Sequence, residues 1–116
     1  GSNILIMGLA YKPEIADDRE SPSYEIMKLL KSCGANVSYY DPYIPVVLEK
    51  REYKDWTGTK SVTWSKSIIS QYDLAIISTA HKKVNYTELF EWVPLIVDTR
   101  NAMKSIDPKL IKTIKC

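Results

Sequence analysis

Residues 4–10 read Ile-Leu-Ile-Met-Gly-Leu-Ala, and this stretch sets the class of the fold. Four consecutive apolar residues, Ile4 to Met7, are typical of a strand that is buried on both faces. Gly8 then supplies a tight turn. Strands of this kind belong to parallel sheets that are covered by helices, so the opening of the chain predicts the first strand of an α/β domain.

Outward from this strand, helical and strand patterns alternate. Ser21-Pro22 provide an N-cap and a first-turn proline for a helix that Gly34 ends, and its apolar stripe is Ile26, Met27, Leu29, Leu30 and Cys33. The elements predicted next are a strand at 35–40, a short possible strand at 61–64, a helix at 65–72, a strand at 74–78, a helix from an Asn85 cap to Trp92 and a strand at 95–97. Beyond Asn101 the pattern is weak.

This alternation predicts a doubly wound, Rossmann-like α/β fold. Strand-helix-strand crossovers of this length are almost always right-handed and join parallel strands. We therefore expect three layers, α/β/α, around a mainly parallel sheet of five strands.

Composition places the chain among ordinary globular domains. It has 116 residues, 45% of them hydrophobic and 26% charged, with a formal net charge of +2 at pH 7. We expect residues 1–116 to form a single domain, with Gly1-Ser2 left over from cloning. No apolar run approaches the roughly 20 residues of a membrane-spanning helix, and the N-terminus lacks a signal-peptide pattern, so we expect a cytoplasmic protein without a membrane partner. Basic residues do not alternate with aromatic ones, which argues against nucleic acid as a partner.

Few residues suit catalysis or metal binding. Cys33 and Cys116 are too sparse for a disulfide framework or a metal site, and the helical stripe predicts that Cys33 is a packed core thiol. His81 is the only histidine, and no serine or cysteine has the spacing that would make it a general base. We therefore interpret His81 as a loop histidine and predict neither a catalytic residue nor a metal site in this chain.

The strand ends are the candidate binding positions, because ligands of open parallel sheets bind outside the carboxyl ends of the strands, where strand order reverses. Residues that follow the predicted strands are Tyr11, Lys12, Asp41, Thr79, His81, Asp98, Thr99 and Arg100. If the strands at 4–7 and 74–78 are neighbours, Lys12 and Arg100 present two cations beside the ring of Tyr11. Such a group suits a phosphate joined to a planar base, which is a nucleotide.

Other interpretations of these charges stay open. A strand-end lysine or arginine is commonly a solvated surface group, and Asp98 could form an internal ion pair with Arg100. The charged run 17–20 reads most simply as a solvated, self-paired loop. A dinucleotide fingerprint would need three spaced glycines after the first strand, where Gly8 stands alone, so we expect neither a pyrophosphate cradle nor a P-loop.

Four motifs in fixed order carry a resemblance to a known family. They are Gly8-Leu9-Ala10-Tyr11-Lys12-Pro13, Asp17-Asp18-Arg19-Glu20-Ser21-Pro22, Tyr40-Asp41-Pro42-Tyr43 and Asp98-Thr99-Arg100-Asn101. Together they resemble the C-terminal domain of the UDP-glucose/GDP-mannose dehydrogenase family, from Ile4 to about Asn101. Within that family, residues 51–53, 61–62 and 81–86 look like the branch that oxidises UDP-N-acetylhexosamines.

The resemblance implies part of an NAD-dependent enzyme that oxidises the C6 alcohol of a nucleotide sugar to a carboxylate, in two hydride transfers and through a cysteine adduct, for polysaccharide biosynthesis. Family members combine an N-terminal NAD-binding domain, a central segment with the cysteine and the dimer contact, and a C-terminal domain that closes over the nucleotide sugar. The implied partners of this chain are a UDP-sugar, its own N-terminal and central domains, and a second subunit in a homodimer or higher oligomer.

The same resemblance assigns roles by motif. Tyr11 and Lys12 correspond to the pair that contacts the UDP-sugar, Arg100 to the arginine that reaches the sugar nucleotide, and Arg19 to an arginine near NAD. No cysteine of this chain lies in a matching motif, so the chain alone is expected to be inactive. The alternative is a stand-alone nucleotide-binding or protein-interaction module with the same α/β fold.

Overall fold

The computed structural model describes residues 2–10, 22–48, 56–98 and 113–115, and these form a parallel sheet with helices. The strands are β1 (Asn3–Met7), β2 (Asn36–Tyr40), β3 (Leu74–Ile77), β4 (Ile96–Asp98) and β5 (Thr113–Lys115). The helices are α1 (Pro22–Ser32), α2 (Lys66–Ile69) and α3 (Tyr86–Trp92). The strand order is β2-β1-β3-β4-β5, and every pairing is parallel. The predicted α/β class is confirmed.

Strand β1 lies between β2 and β3 and is buried on both faces. Successive side chains of a strand point to opposite sides, so Ile4 and Ile6 join one core while Leu5 and Met7 join the other. The first core contains Tyr24 and Met27 of α1, and the second contains Ile69 of α2 with Leu89 and Phe90 of α3. Helices therefore cover both faces, as expected for a doubly wound sheet.

The sheet order places the topological switch point between β1 and β3. From β1 the chain goes through α1 to β2 on one side, and then returns to β3 on the other side of β1. Met7 is in register with Tyr40 of β2 and with Ile77 of β3, so the three strands end at the same level. Strand order reverses at β1 and β3, which is where parallel α/β sheets bind ligands.

The predicted strand at 61–64 is wrong, and the fifth strand lies elsewhere. Residues 61–64 run beside β2, where the Val62 N–H donates to the Tyr39 carbonyl (2.9 Å) and the Ser61 N–H donates to the Pro45 carbonyl (3.0 Å). These isolated bonds do not form a ladder. The fifth strand is instead β5, which pairs with β4 through Val97 and Ile114 and lies in the tail that showed only weak patterning.

The apolar stripe predicted for α1 is partly wrong. Met27 is buried as expected, but Leu29 is 60% exposed. Cys33 is exposed, which corrects the prediction of a core thiol. The Cys33 N–H still donates to the Leu29 carbonyl (3.2 Å), so these two residues share one face of the helix, and that face is the exposed one.

Helix α3 begins at the predicted cap and ends before the predicted breaker. Asn85 Oδ1 accepts a hydrogen bond from the N–H of Glu88 (3.1 Å), and the helix stops at Trp92, two residues before Pro94. The carboxylate of Glu88 accepts from Trp64 Nε1 (3.0 Å), which joins α3 to the segment before α2. No helix in the described part of the chain combines the length and apolar character that crossing a bilayer requires.

Candidate functional site

The side chain of Asp41, which directly follows β2, is the centre of a buried hydrogen-bond network at the carboxyl ends of β1, β2 and β3. Its Oδ2 accepts from the N–H groups of Leu9 (2.7 Å) and Ala10 (2.9 Å) and lies 2.9 Å from Nε2 of His81. Its Oδ1 accepts from the N–H of Tyr43 (2.8 Å). One carboxylate therefore joins the loops that follow three neighbouring strands.

The hydrogen bonds of Asp41 determine its charge. Burial acts to raise the pKa of this carboxyl group, but the bonds from His81, Leu9, Tyr43 and Ala10 outweigh burial and lower its pKa below the usual value. Asp41 is therefore ionised at neutral pH. Because a carboxylate only accepts hydrogen bonds, Nε2 of His81 carries the proton that lies between the two side chains.

His81 is held by neighbours on the loop that follows β3 and on the loop that follows β2. It is fully buried, and its ring centroid lies 4.7 Å from that of Tyr43. The Tyr86 hydroxyl donates to the His81 carbonyl (3.1 Å), which ties the loop to α3. His81 therefore lies on a loop, as predicted. Its side chain is buried and donates a hydrogen bond to Asp41.

Gly8 allows β1 and the loop after β3 to approach each other closely. Its φ is +94°, and a Cβ built on it would lie 2.3 Å from the Thr79 carbonyl oxygen. The Thr79 N–H donates to the Met7 carbonyl (3.1 Å), and the Thr79 hydroxyl donates to the Ala10 carbonyl (2.7 Å). Glycine is required here because any side chain would occupy the space that Thr79 fills.

Two buried serines attach α1 to the same region. The Ser23 hydroxyl donates to the Gly8 carbonyl (2.9 Å) and is hydrogen bonded to the Ser78 hydroxyl (2.7 Å). Strand β1, the first residues of α1 and the end of β3 are therefore connected by side-chain hydroxyls as well as by packing.

The turn after β1 does not form a pyrophosphate cradle. In dinucleotide-binding folds, glycines in this turn let backbone N–H groups approach a pyrophosphate. Here the N–H of Gly8 donates to the Tyr40 carbonyl (2.9 Å), and those of Leu9 and Ala10 donate to Asp41. All three N–H groups are used inside the protein, so this turn does not fit NAD. Among the described residues, no group of three or more His, Cys, Asp or Glu side chains is arranged to hold a metal ion.

The family model described as "UDP-glucose/GDP-mannose dehydrogenase family, UDP binding domain" matches residues 5–105. The chain belongs to this family.

Relatives of the chain include several UDP-sugar dehydrogenases. A UDP-glucose 6-dehydrogenase from Rickettsia felis is 31% identical over an alignment of 121 positions, which covers 98% of this chain and 25% of that protein. A UDP-N-acetyl-D-mannosamine dehydrogenase from Methanococcus maripaludis is 32% identical over 103 residues, or 87% of this chain and 23% of that protein. This member of the dehydrogenase family thus spans about a quarter of the length of the relatives it matches.

The fold agrees with a solved structure as well. A UDP-D-ManNAc dehydrogenase from Pyrococcus horikoshii superposes with a TM-score of 0.70 at 22% identity, over 98% of this chain and 25% of that one. At that identity the likeness is evidence for the fold alone. It supports the Rossmann-like architecture of the UDP-binding domain.

Among the strand-end residues predicted from sequence, the structure brings three together. Asp41, Thr79 and His81 lie at one edge of the sheet, and Asp98 is buried at the end of β4. The other predicted site residues of this dehydrogenase-family chain lie outside the described residues, and they are Tyr11, Lys12, Arg19, Thr99 and Arg100.

The Asp41 network has only a weak signal in the sequence. The available local signal was Asp41-Pro42 directly after a strand, since an aspartate there commonly accepts from the N–H two residues on, as it does from Tyr43. No local signal links Asp41 to His81, which is forty residues away.

Proposed function

We propose that this chain is the UDP-sugar-binding domain of an NAD-dependent UDP-sugar 6-dehydrogenase, which oxidises the C6 alcohol of the sugar to a carboxylate. The observation that carries this proposal is the match of residues 5–105 to the UDP-binding domain of the family. NAD is assigned mainly to the N-terminal domain, because the turn after β1 uses its own N–H groups internally. The catalytic cysteine is assigned to the central segment, because neither Cys33 nor Cys116 lies in a matching motif. The cofactor of the enzyme is NAD. The other partners of this chain are the N-terminal and central domains and a second subunit.

Within this domain we assign the nucleotide sugar to Tyr11, Lys12 and Arg100, and place Arg19 near NAD. The segment with Tyr11 follows directly after Ala10, and Arg100 comes two residues after the buried Asp98. Strands β1 and β4 are separated only by β3, so their ends are roughly 10 Å apart at the usual strand spacing. Cations that start from two such points can contact a diphosphate and the adjoining sugar from two sides.

The activity is tested with the full-length enzyme, NAD and a panel of UDP-sugars. We expect NADH to form with a stoichiometry of about two per sugar, because an alcohol loses two hydrides on its way to a carboxylate. We propose an N-acetylhexosamine as the sugar, UDP-N-acetylglucosamine or UDP-N-acetylgalactosamine, from the motif resemblance at residues 51–53, 61–62 and 81–86. The expected kcat/KM for one of these is at least tenfold above that for UDP-glucose. A preference for UDP-glucose would contradict the sugar assignment, and no turnover of any UDP-sugar would contradict the proposed activity.

The assigned cations are tested by Lys12→Ala and Arg100→Ala in the same enzyme. Each change removes a charge that binds the phosphate in the ground state and the transition state alike, so we expect the KM for the UDP-sugar to rise at least tenfold, about 1.4 kcal/mol, with a smaller change in kcat. Lys28→Ala, which removes an exposed cation from α1, is the matched control and is expected to leave KM unchanged. Unchanged UDP-sugar kinetics in Lys12→Ala or Arg100→Ala would show that the assignment by motif is wrong.

A further inference from the structure

Ala10 is the last described residue before the segment with Tyr11 and Lys12, and both of its backbone polar groups are hydrogen bonded to side chains. Its N–H donates to Oδ2 of Asp41 (2.9 Å), and its carbonyl accepts from the hydroxyl of Thr79 (2.7 Å). The ladder of β1 has already ended at Met7. Beyond Met7, the hydrogen bonds from Asp41 and Thr79, and not the sheet ladder, set the backbone position of Ala10.

The carboxylate that holds Ala10 is itself hydrogen bonded at both of its oxygens. The N–H of Tyr43 holds Oδ1 at 2.8 Å, and Nε2 of His81 holds Oδ2 at 2.9 Å. The Ser61 hydroxyl accepts from the backbone N–H of Asp41 (2.9 Å), on the side away from the carboxylate. Asp41 and His81 are both buried, so water does not compete for the hydrogen bonds between them and their neighbours.

We propose that Asp41 and His81 are positioning residues for the nucleotide sugar, because together they fix Ala10, which directly precedes Tyr11 and Lys12 in the chain. This inference rests on the proposed function. In this role the Asp41–His81 pair acts on the binding segment through the N–H groups of Leu9 and Ala10, which donate to Asp41. A displacement of the binding segment by about 1 Å is enough to cost up to a hundredfold in rate or affinity.

Positioning and simple structural support predict different kinetics. If the pair only stabilised the fold, its loss would lower the fraction of folded enzyme, so the maximal rate would fall and KM would stay constant. If it positions the binding segment, the folded enzyme binds the UDP-sugar less well, so the KM for the UDP-sugar rises while the KM for NAD stays constant.

A matched pair of substitutions at His81 separates the hydrogen bond from the packing. His81→Phe keeps a ring against Tyr43 and removes the donor at Nε2. His81→Gln removes the ring and keeps an N–H donor that can reach Asp41. Asp41→Asn removes the charge, and in either orientation its amide NH2 faces a backbone N–H group that the carboxylate accepted from. Ser61→Ala is the control, because it removes a hydrogen bond to the same aspartate without touching the carboxylate.

The experiment is steady-state kinetics of the full-length enzyme with these variants, with both the UDP-sugar and NAD varied. We expect His81→Phe and Asp41→Asn to raise the KM for the UDP-sugar at least tenfold, His81→Gln to stay within threefold of wild type, and Ser61→Ala to stay within twofold. The KM for NAD should stay within twofold throughout. A lower maximal rate with an unchanged KM for the UDP-sugar in His81→Phe would overturn the proposal, as would equal effects of His81→Phe and His81→Gln.

A second variant and a reference keep the result interpretable. Thr79→Val removes the hydrogen bond to the Ala10 carbonyl and leaves the Asp41–His81 pair in place, so it tests the same positioning if His81→Phe does not fold. We expect it to raise the KM for the UDP-sugar at least threefold, and no change would overturn the proposal. Lys12→Ala provides the reference: if wild type turns over the UDP-sugar and Lys12→Ala raises its KM while the variants of the pair do not, the positioning inference fails and the proposed function stands.

Discussion

Replacement of Gly8 by alanine is expected to lower the free energy of unfolding by about 2–5 kcal/mol. Two effects add at this position. The backbone of Gly8 has φ +94°, which is strained by about 1–2 kcal/mol for a residue with a side chain. The new Cβ would also lie 2.3 Å from the carbonyl oxygen and 2.8 Å from the Cα of Thr79, and such overpacking costs about 1–3 kcal/mol. Because these contacts are with backbone atoms, a side-chain rotation cannot relieve them.

The chain contains two controls for the backbone effect. Gly34 and Gly58 have φ values of +88° and +85°, but a Cβ at either would meet nothing within 4 Å. Gly34→Ala and Gly58→Ala are therefore expected to lose only the backbone contribution, about 1 kcal/mol. Urea denaturation followed by circular dichroism measures all three losses. Equal losses at Gly8 and Gly34 would contradict the close approach of Thr79, whereas a Gly8→Ala chain without a folded baseline would agree with it.

The sheet could be predicted from sequence where the signal is local. Ile4 to Met7 form a continuous apolar run, and Asn85 and Pro94 mark the limits of α3, so these elements follow from short-range rules. Strand β5 could not be predicted in this way, because its three residues gain their conformation from the ladder with β4. The strand predicted at residues 61–64 is wrong because a local preference does not guarantee a partner. The side chains there favour a strand, but the segment runs beside β2 without pairing along it.

The site shows the same division. Asp41, Thr79 and His81 could be placed at strand ends from sequence, because a strand end is a local feature. The contact of Asp41 with His81 and that of Thr79 with Ala10 depend on β1 lying between β2 and β3, and no spacing along the chain reveals that order. A carboxylate between two backbone N–H groups and a histidine from another loop therefore emerges only from the assembled sheet.

Because Asp41 is charged, part of the free energy of unfolding depends on pH. An unfolded aspartate has a pKa of about 3.9, and the hydrogen bonds of Asp41 hold its folded pKa below that value despite burial. A lowered folded pKa means that the stabilisation is fully present above the unfolded pKa and is lost as pH falls through the folded pKa. Below that range the protonated carboxyl group no longer favours the folded state.

Asp41→Asn is accordingly expected to lower the free energy of unfolding by about 2–4 kcal/mol at pH 7, because hydrogen bonds to a charged, buried acceptor are lost and at least one N–H group faces the new amide. The difference between wild type and Asp41→Asn should shrink as pH falls below about 4, since protonation removes the charge from the wild type while the amide does not titrate. Urea denaturation at pH 7, 5, 4 and 3 measures the difference, with Asp73→Asn as the control for an exposed carboxylate that accepts from the Asn3 N–H. If the two stability curves run parallel down to pH 3, the carboxylate of Asp41 is not the group that loses its stabilising interaction in acid.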